Sequence, residues 1–115
     1  MTFQDISTMV NSMGFPYNYL QFEENSAPAL PYVLFYYPQR DDVIADNKNY
    51  ALKTALNIEL CTEEKDFEAE ATVEAVLIAN EIPFTKTETY IDTEKMYLIL
   101  YEMEVFLSAY DSEQG

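Results

Sequence analysis

YALKTALNIELCTEEKDFEAEATVEAVLIA, residues 50–79, holds two periods in one run, and the change between them decides the fold. In its first part Tyr50, Leu52, Thr54, Leu56, Ile58 and Leu60 alternate with Ala51, Lys53, Ala55, Asn57 and Glu59. Period two is the pattern of a strand with one buried face. Beyond Cys61 the spacing lengthens. Asp66 is placed to begin a helix, and Glu68 and Glu70 fall in its first turn, where the helix dipole favours anions. Phe67, Ala71, Ala75 and Ile78 recur at helical intervals as one apolar stripe, widened by Val73, Val76 and Leu77. The alanines permit close approach to a sheet, and the helix stops near Asn80, ahead of Pro83. A long strand followed at once by a helix with a stripe to bury calls for helices layered on a sheet.

Upstream, Tyr32–Tyr37 (YVLFYY) is a β-branched and aromatic run ended by Pro38, which predicts a strand buried on both faces. Residues 38–49, PQRDDVIADNKN, carry turn residues and mixed charge, so the two strands read as a hairpin with an unusually long loop. Residues 15–31, FPYNYLQFEENSAPALP, contain three prolines yet are too aromatic for an idle linker. They read as an extended arm, with a short strand possible over Tyr17–Phe22, laid along the body or along a neighbouring subunit. Ahead of the arm, Phe3, Ile6, Met9, Val10 and Met13 share one face of a short helix, with Thr2 as N-cap, Asp5 three residues on, and Gly14 and Pro16 as its stop. Downstream, PFTKTETYI and KMYLILYEMEVFL flank Asp92-Thr93-Glu94 as a second hairpin. In its last strand Tyr97, Ile99, Tyr101, Met103 and Val105 share a face, with Glu102, Glu104 and Phe106 on the other.

The expected fold is therefore α+β, a single domain over residues 1–107. It comprises an N-terminal helix (1–14), an arm (15–31), and a four-stranded sheet of two hairpins joined by a helix packed on one face (32–107). A flexible polar tail (108–115) follows. The crossover through the helix is expected to be right-handed if the strands it joins are parallel neighbours.

Composition removes most chemistry. The chain has 115 residues, one domain's worth, with 6 Lys plus Arg against 21 Asp plus Glu and a net charge of −15. Such a surface repels polyphosphates and anionic membranes, so direct nucleic-acid and membrane partners are disfavoured. With no His, the usual general base, metal ligand and triad member are missing together. Two glycines cannot build a phosphate-cradling loop, and one cysteine is no zinc set. Cys61 reads as a small core residue, and no disulfide can form within the chain. Met1–Gly14 lacks the features of a signal peptide, no run is long enough to cross a bilayer, and the chain is expected to be soluble and made in a cytoplasm. Asp41, Asp42 and Asp46 lack the spacing of a calcium loop, and Glu63, Glu64, Asp66, Glu68 and Glu70 read as a solvated helix start. Glu102 and Glu104 are placed to pair with Lys86 or to line an assembly interface or an acidic lumen. The expectation is a non-enzymatic protein with no cofactor and no metal.

Ten Tyr and seven Phe exceed what so small a body is expected to hide. Either the arm covers the sheet's edge and open face, or its aromatics form a subunit interface. The segments GFPYNYLQFEE, APALPYVLFYYP, ALNIELCTEEKDFEAEATVEAVL and KTETYIDTEKMYLILYEMEV resemble a family of small head–tail joining, tail-completion and tail-terminator-like structural proteins of phages and prophages of Gram-positive bacteria. The resemblance spans residues 2–107 and is most specific in LPYVLFYYP, NIELCTEEKDFE and the last hairpin. It implies a homo-oligomeric ring, usually a hexamer, stacked on the tail tube protein and facing head-completion proteins. The subunit would sit in the virion at the tail end or head–tail junction, after assembly in the host cytoplasm. It also implies that the loop over residues 38–49 orders on docking. Candidate interface residues are Phe15, Tyr17, Tyr19, Phe22, Tyr32, Phe35 and Tyr37, with Arg40, Asp41 and Asp42 in the loop and Glu102 and Glu104 on the last strand. The alternatives are an acidic DNA mimic that inhibits a nucleic-acid enzyme, and a small enzyme using carboxylates.

Overall fold

The computed structural model describes residues 1–38 and 51–108, and for 51 and 52 the backbone alone. Along the chain run α1 (Phe3–Asn11), β1 (Tyr17–Tyr19), β2 (Tyr32–Tyr36), β3 (Ala51–Thr62), α2 (Phe67–Ala79), β4 (Thr85–Ile91) and β5 (Met96–Ser108). The strands form one mixed five-stranded sheet in the order β1-β2-β3-β5-β4. The α+β class holds, but the sheet has five strands where the sequence predicts four. The extra strand is the arm's: Tyr17 lies beside Val33 and Tyr19 beside Phe35, parallel to β2. Two backbone bonds fix it, from the Val33 N–H to the Pro16 carbonyl (2.9 Å) and from the Leu20 N–H to the Phe35 carbonyl (2.8 Å). They satisfy polar groups that β2 would otherwise leave bare at its edge.

Both predicted hairpins form. β2 pairs antiparallel with β3 from Tyr32↔Cys61 to Tyr36↔Asn57, and β4 with β5 from Thr85↔Glu102 to Ile91↔Met96. The crossover differs from the simplest expectation. β3 and β4 are both antiparallel to β5, hence parallel to each other, but β5 lies between them and they are not neighbours. β3 and β5 pair along their length, from Ala51↔Ser108 to Thr62↔Tyr97. Their outer halves run past the last paired residues of β2 and β4 as a two-stranded extension.

The core sits on one face of this sheet. Val33 and Phe35 of β2, Leu56, Ile58 and Leu60 of β3, and Ile99, Tyr101, Met103, Val105 and Leu107 of β5 point to it. Both helices pack there. α1 contributes Ile6, Met9 and Val10, followed by Met13, and its Phe3 stacks edge-on against Tyr37 at 5.2 Å. Its start is a reciprocal cap: the Asp5 N–H donates to Thr2 Oγ1, and the Thr2 N–H donates to the Asp5 carboxylate, both at 2.9 Å. Gly14 then takes φ +89°, a left-handed turn that ends the segment.

α2 begins where the sequence places it, with the Ala69 N–H donating to the Asp66 carboxylate at 3.0 Å. Its orientation is the main correction. The buried residues are Ala69, Glu70, Val73 and Leu77, while Phe67 and Ile78 of the predicted inward stripe are 73% and 66% exposed, with Ala71 and Ala75 exposed between them. The helix is apolar almost all round, so periodicity alone does not select its inner face. β2 needs a correction as well. Val33 and Phe35 are buried, but Tyr32, Leu34 and Tyr36 are only half-buried, because helices cover one face of the sheet and not both.

Candidate functional site

Two regions concentrate features beyond a simple core: an ion cluster beneath α2 and the helix-free face of the sheet. The cluster grows from β4, whose Lys86 and Glu88 stand in register with Tyr101 and Ile99 and therefore point toward α2. Lys65 Nζ lies 2.6 Å from Glu88 and 2.7 Å from Glu70; Lys86 Nζ lies 2.8 Å from Glu70 and 2.6 Å from Glu74. The Tyr101 hydroxyl donates to Glu74 at 2.8 Å. Glu70 is the buried centre, its side chain 4% exposed. Burial raises its pKa, but the hydrogen bonds and charges of the two lysines outweigh that and hold it below the usual carboxylate range. Lys65 and Lys86 are raised above the ordinary lysine value by their bonds to Glu70 and to Glu88 and Glu74 respectively. Burial and then the Glu74 hydrogen bond push the Tyr101 phenol far up. With each of its carboxylates bonded to a lysine, this cluster orients α2 and presents no unpartnered acid or base.

The opposite face carries Tyr32, Leu34 and Tyr36 of β2, Asn57, Glu59 and Cys61 of β3, and Leu98, Leu100, Glu102, Glu104 and Phe106 of β5. The Tyr36 hydroxyl donates to Glu59 at 2.7 Å and accepts from the Asn57 amide at 3.4 Å. Cys61 is 1% exposed, and burial followed by the charge of Glu59 pushes its thiol up to about 12. At neutral pH it is a thiol and not a thiolate, so it is a poor nucleophile. A shallow, open depression lies around Asn57, Glu102, Glu104 and Phe106. Among the described residues, no group of three or more Cys, Asp or Glu is placed to hold a metal ion, and no helix is long and apolar enough to cross a membrane.

The candidate interface residues divide three ways. Phe35 and Tyr37 belong to the chain's own core, and Phe15 and Tyr17 are half-buried against it. Tyr19 is 44% exposed; it leans edge-on against Phe35 at 5.3 Å, and its hydroxyl accepts the Tyr37 N–H at 3.2 Å. Phe22 stacks on Tyr32 at 5.1 Å, so that part of the arm lies against the sheet. Glu102 and Glu104 stand exposed on the helix-free face. Neither meets Lys86, which is on the other face; Glu104 instead lies 3.4 Å from Lys53. Arg40, Asp41 and Asp42, with the rest of the loop over residues 39–49, lie outside the described residues. The sequence reading missed the outer side of α2 as a surface. The signal was there in Phe67 and Ile78, apolar residues left over once Val73 and Leu77 fill the inner face.

No protein-family model matches this chain, and no curated protein matches it.

Proposed function

We propose that the chain is a non-enzymatic structural subunit of a phage virion, a tail terminator or head–tail joining protein that assembles with copies of itself into a ring. The observation that carries the reading is the pair of unlike sheet edges. β4 is seven residues long, exposed along nearly its whole length, and among the described residues has no strand on its outer side. Free-standing proteins guard such edges with proline, bulges or outward-pointing lysines. Here Lys86 and Glu88 are drawn into ion pairs with Glu70, Glu74 and Lys65 instead of standing free along the edge. The other edge, β1, is different in length and sequence, so contact between copies joins one edge to the other, head to tail. Contacts of that kind close into rings when the rotation allows.

The position in the virion comes from the resemblance over residues 2–107. It supplies the tail tube protein and head-completion proteins as neighbours and a hexamer as the expected ring. A charge of −15 per subunit suits a channel wall that DNA must cross without adhering.

Sedimentation velocity and mass photometry at tens of micromolar, with and without the tail tube protein of the same phage, test the reading. The expected result is a ring-sized species that co-sediments with tubes. A chain that stays monomeric and leaves the tube protein untouched would end it.

A further inference from the structure

We infer that the two lateral edges of the sheet carry matched apolar patches through which one copy of this chain docks on the next, a step that rests on the ring reading above and names its surfaces. Among the described residues the large apolar side chains left exposed are Met1, Tyr19, Leu20, Phe67, Ile78, Tyr90 and Phe106. Tyr19 and Leu20 stand at the β1 edge. Phe67, Ile78 and Tyr90 stand at the β4 edge, on α2 and on β4 itself. Of the other two, Met1 lies between α1 and Asn80 at the end of α2, and Phe106 on the helix-free face.

The α2 residues overhang β4 for a geometric reason. Residues 67, 70, 74 and 78 follow one another at three- and four-residue steps, so they share one flank of the helix. Glu70 and Glu74 on that flank reach Lys86 of β4, and Lys65, 4.7 Å from the centre of the Phe67 ring, reaches Glu88. Phe67 and Ile78 therefore line the β4 side of α2. The two edge tyrosines, Tyr19 and Tyr90, also lie on the same face of the sheet, with Leu20 following Tyr19 at the edge itself. Tyr19 is in register with Phe35 and Tyr90 with Tyr97, all on the helix-bearing side. A second copy laid edge to edge keeps that side in common, which brings its Tyr19 and Leu20 against Tyr90 and the flank of α2.

Charge favours the same approach. Two chains at −15 repel each other over most of their surface. On the β4 flank, Glu70, Glu74 and Glu88 are already bonded to Lys65 and Lys86, which leaves three carboxylates nearly balanced by two ammonium groups. A like-charged copy meets less repulsion there than where carboxylates stand unpaired. The patches are unlike, so neither satisfies a two-fold contact with itself.

The test uses Leu20→Asp and Ile78→Asp, at positions 52% and 66% exposed, with circular dichroism and a thermal melt confirming that each still folds. Leu20→Asn and Ile78→Gln serve as gentler second versions. Each variant alone should be monomeric at a concentration where wild type assembles, with affinity for further copies lowered at least tenfold. An equimolar mixture should form a dimer and nothing larger, because one intact patch on each variant still finds its complement. Assembly of either variant at wild-type strength would overturn the inference while leaving the ring reading in place. A mixture that stays monomeric would overturn it in favour of another contact. A wild-type chain monomeric even with tail tube protein would remove the ring reading and this inference together.

Discussion

The two helices lie on the same face of the same sheet, yet they differ in what they bury and in what they show outward. α1 is apolar toward the sheet, through Ile6, Met9 and Val10, and polar outward, through Gln4, Asp5 and Thr8. α2 departs from that plan. Its inner side adds a buried carboxylate, Glu70, to Ala69, Val73 and Leu77, and its outer side shows Phe67, Ala71, Ala75 and Ile78 beside Glu68 and Thr72. α1 is the helix of a protein whose back faces water. The outer side of α2 exposes apolar surface that a free monomer gains nothing from, while Val73 and Leu77 together with the ion pairs of Glu70 and Glu74 seat its inner side. The difference separates a helix that completes the fold from one that also presents a surface.

Removing core contacts should break this comparison most directly if the assigned inner faces are wrong. Leu77 and Ile6 are each 0% exposed, one on each helix. Leu77→Ala and Ile6→Ala should each destabilise the chain by about 2–5 kcal/mol in chemical denaturation, combining lost transfer energy with a cavity. A Leu77→Ala variant as stable as wild type would mean that α2 faces the other way.

The next largest effect isolates the ionic seat. Glu70→Gln leaves two lysines around a neutral amide and should cost about 1–3 kcal/mol at neutral pH, less than a fully buried pair because both lysines reach solvent. The sign of its pH dependence follows from the depressed pKa. In the folded chain Glu70 titrates below its ordinary 4.5, so its contribution is fully present above 4.5 and is lost as pH falls through the folded value. Lys65 and Lys86 are raised above 10.5, so their contribution holds below 10.5 and fades as pH climbs beyond it. The gap between wild type and Glu70→Gln, followed by denaturant midpoint, should therefore narrow in acid. The cost of Ile6→Ala, at an apolar site on α1, should show no matching change. A gap that stays constant through the acid range would show that Glu70 acts by packing alone.

Legibility in the sequence follows the same division. The alternation in β3 and β5 is strict because one face meets helices and the other does not, so residue parity reads out directly: Leu56, Ile58 and Leu60 inward, Asn57 and Glu59 outward. α1 was legible through its single apolar stripe and its Thr2–Asp5 cap. α2 was legible as a helix, from Asp66 to Asn80, but not in its rotation. With alanine and β-branched residues on every side, the deciding contacts are Lys65, Lys86 and Tyr101, which come from other elements and leave no period in the helix itself. β1 escaped a firm assignment because three residues carry no periodicity, and it is held by backbone bonds to β2 that any side chain would permit. For the candidate interface, aromatic content pointed to the arm but could not separate Phe35 and Tyr37, which the core absorbs, from Tyr19, which it leaves exposed. Tyr19 shares the helix-bearing face with Phe35, so the separation depends on β1 being the edge strand of the sheet, a tertiary fact.

The smallest expected effect is the sharpest test of the contrast between the helices. Ile78 is as apolar as Ile6, yet its side chain remains largely in water. Replacing it with glutamine removes little buried contact, so the isolated monomer should change in stability by within about 0.5 kcal/mol. Glutamine has at least as good a helix propensity, which places the expected sign near zero or slightly stabilising. The same change at Ile6 would bury an unsatisfied amide and should be severe. If Ile78→Gln leaves the melt of the monomer untouched and yet weakens assembly, the outer side of α2 is retained for a partner. If it destabilises the monomer as a core change would, Ile78 belongs to the fold, and the outer side of α2 is no more free for a partner than that of α1.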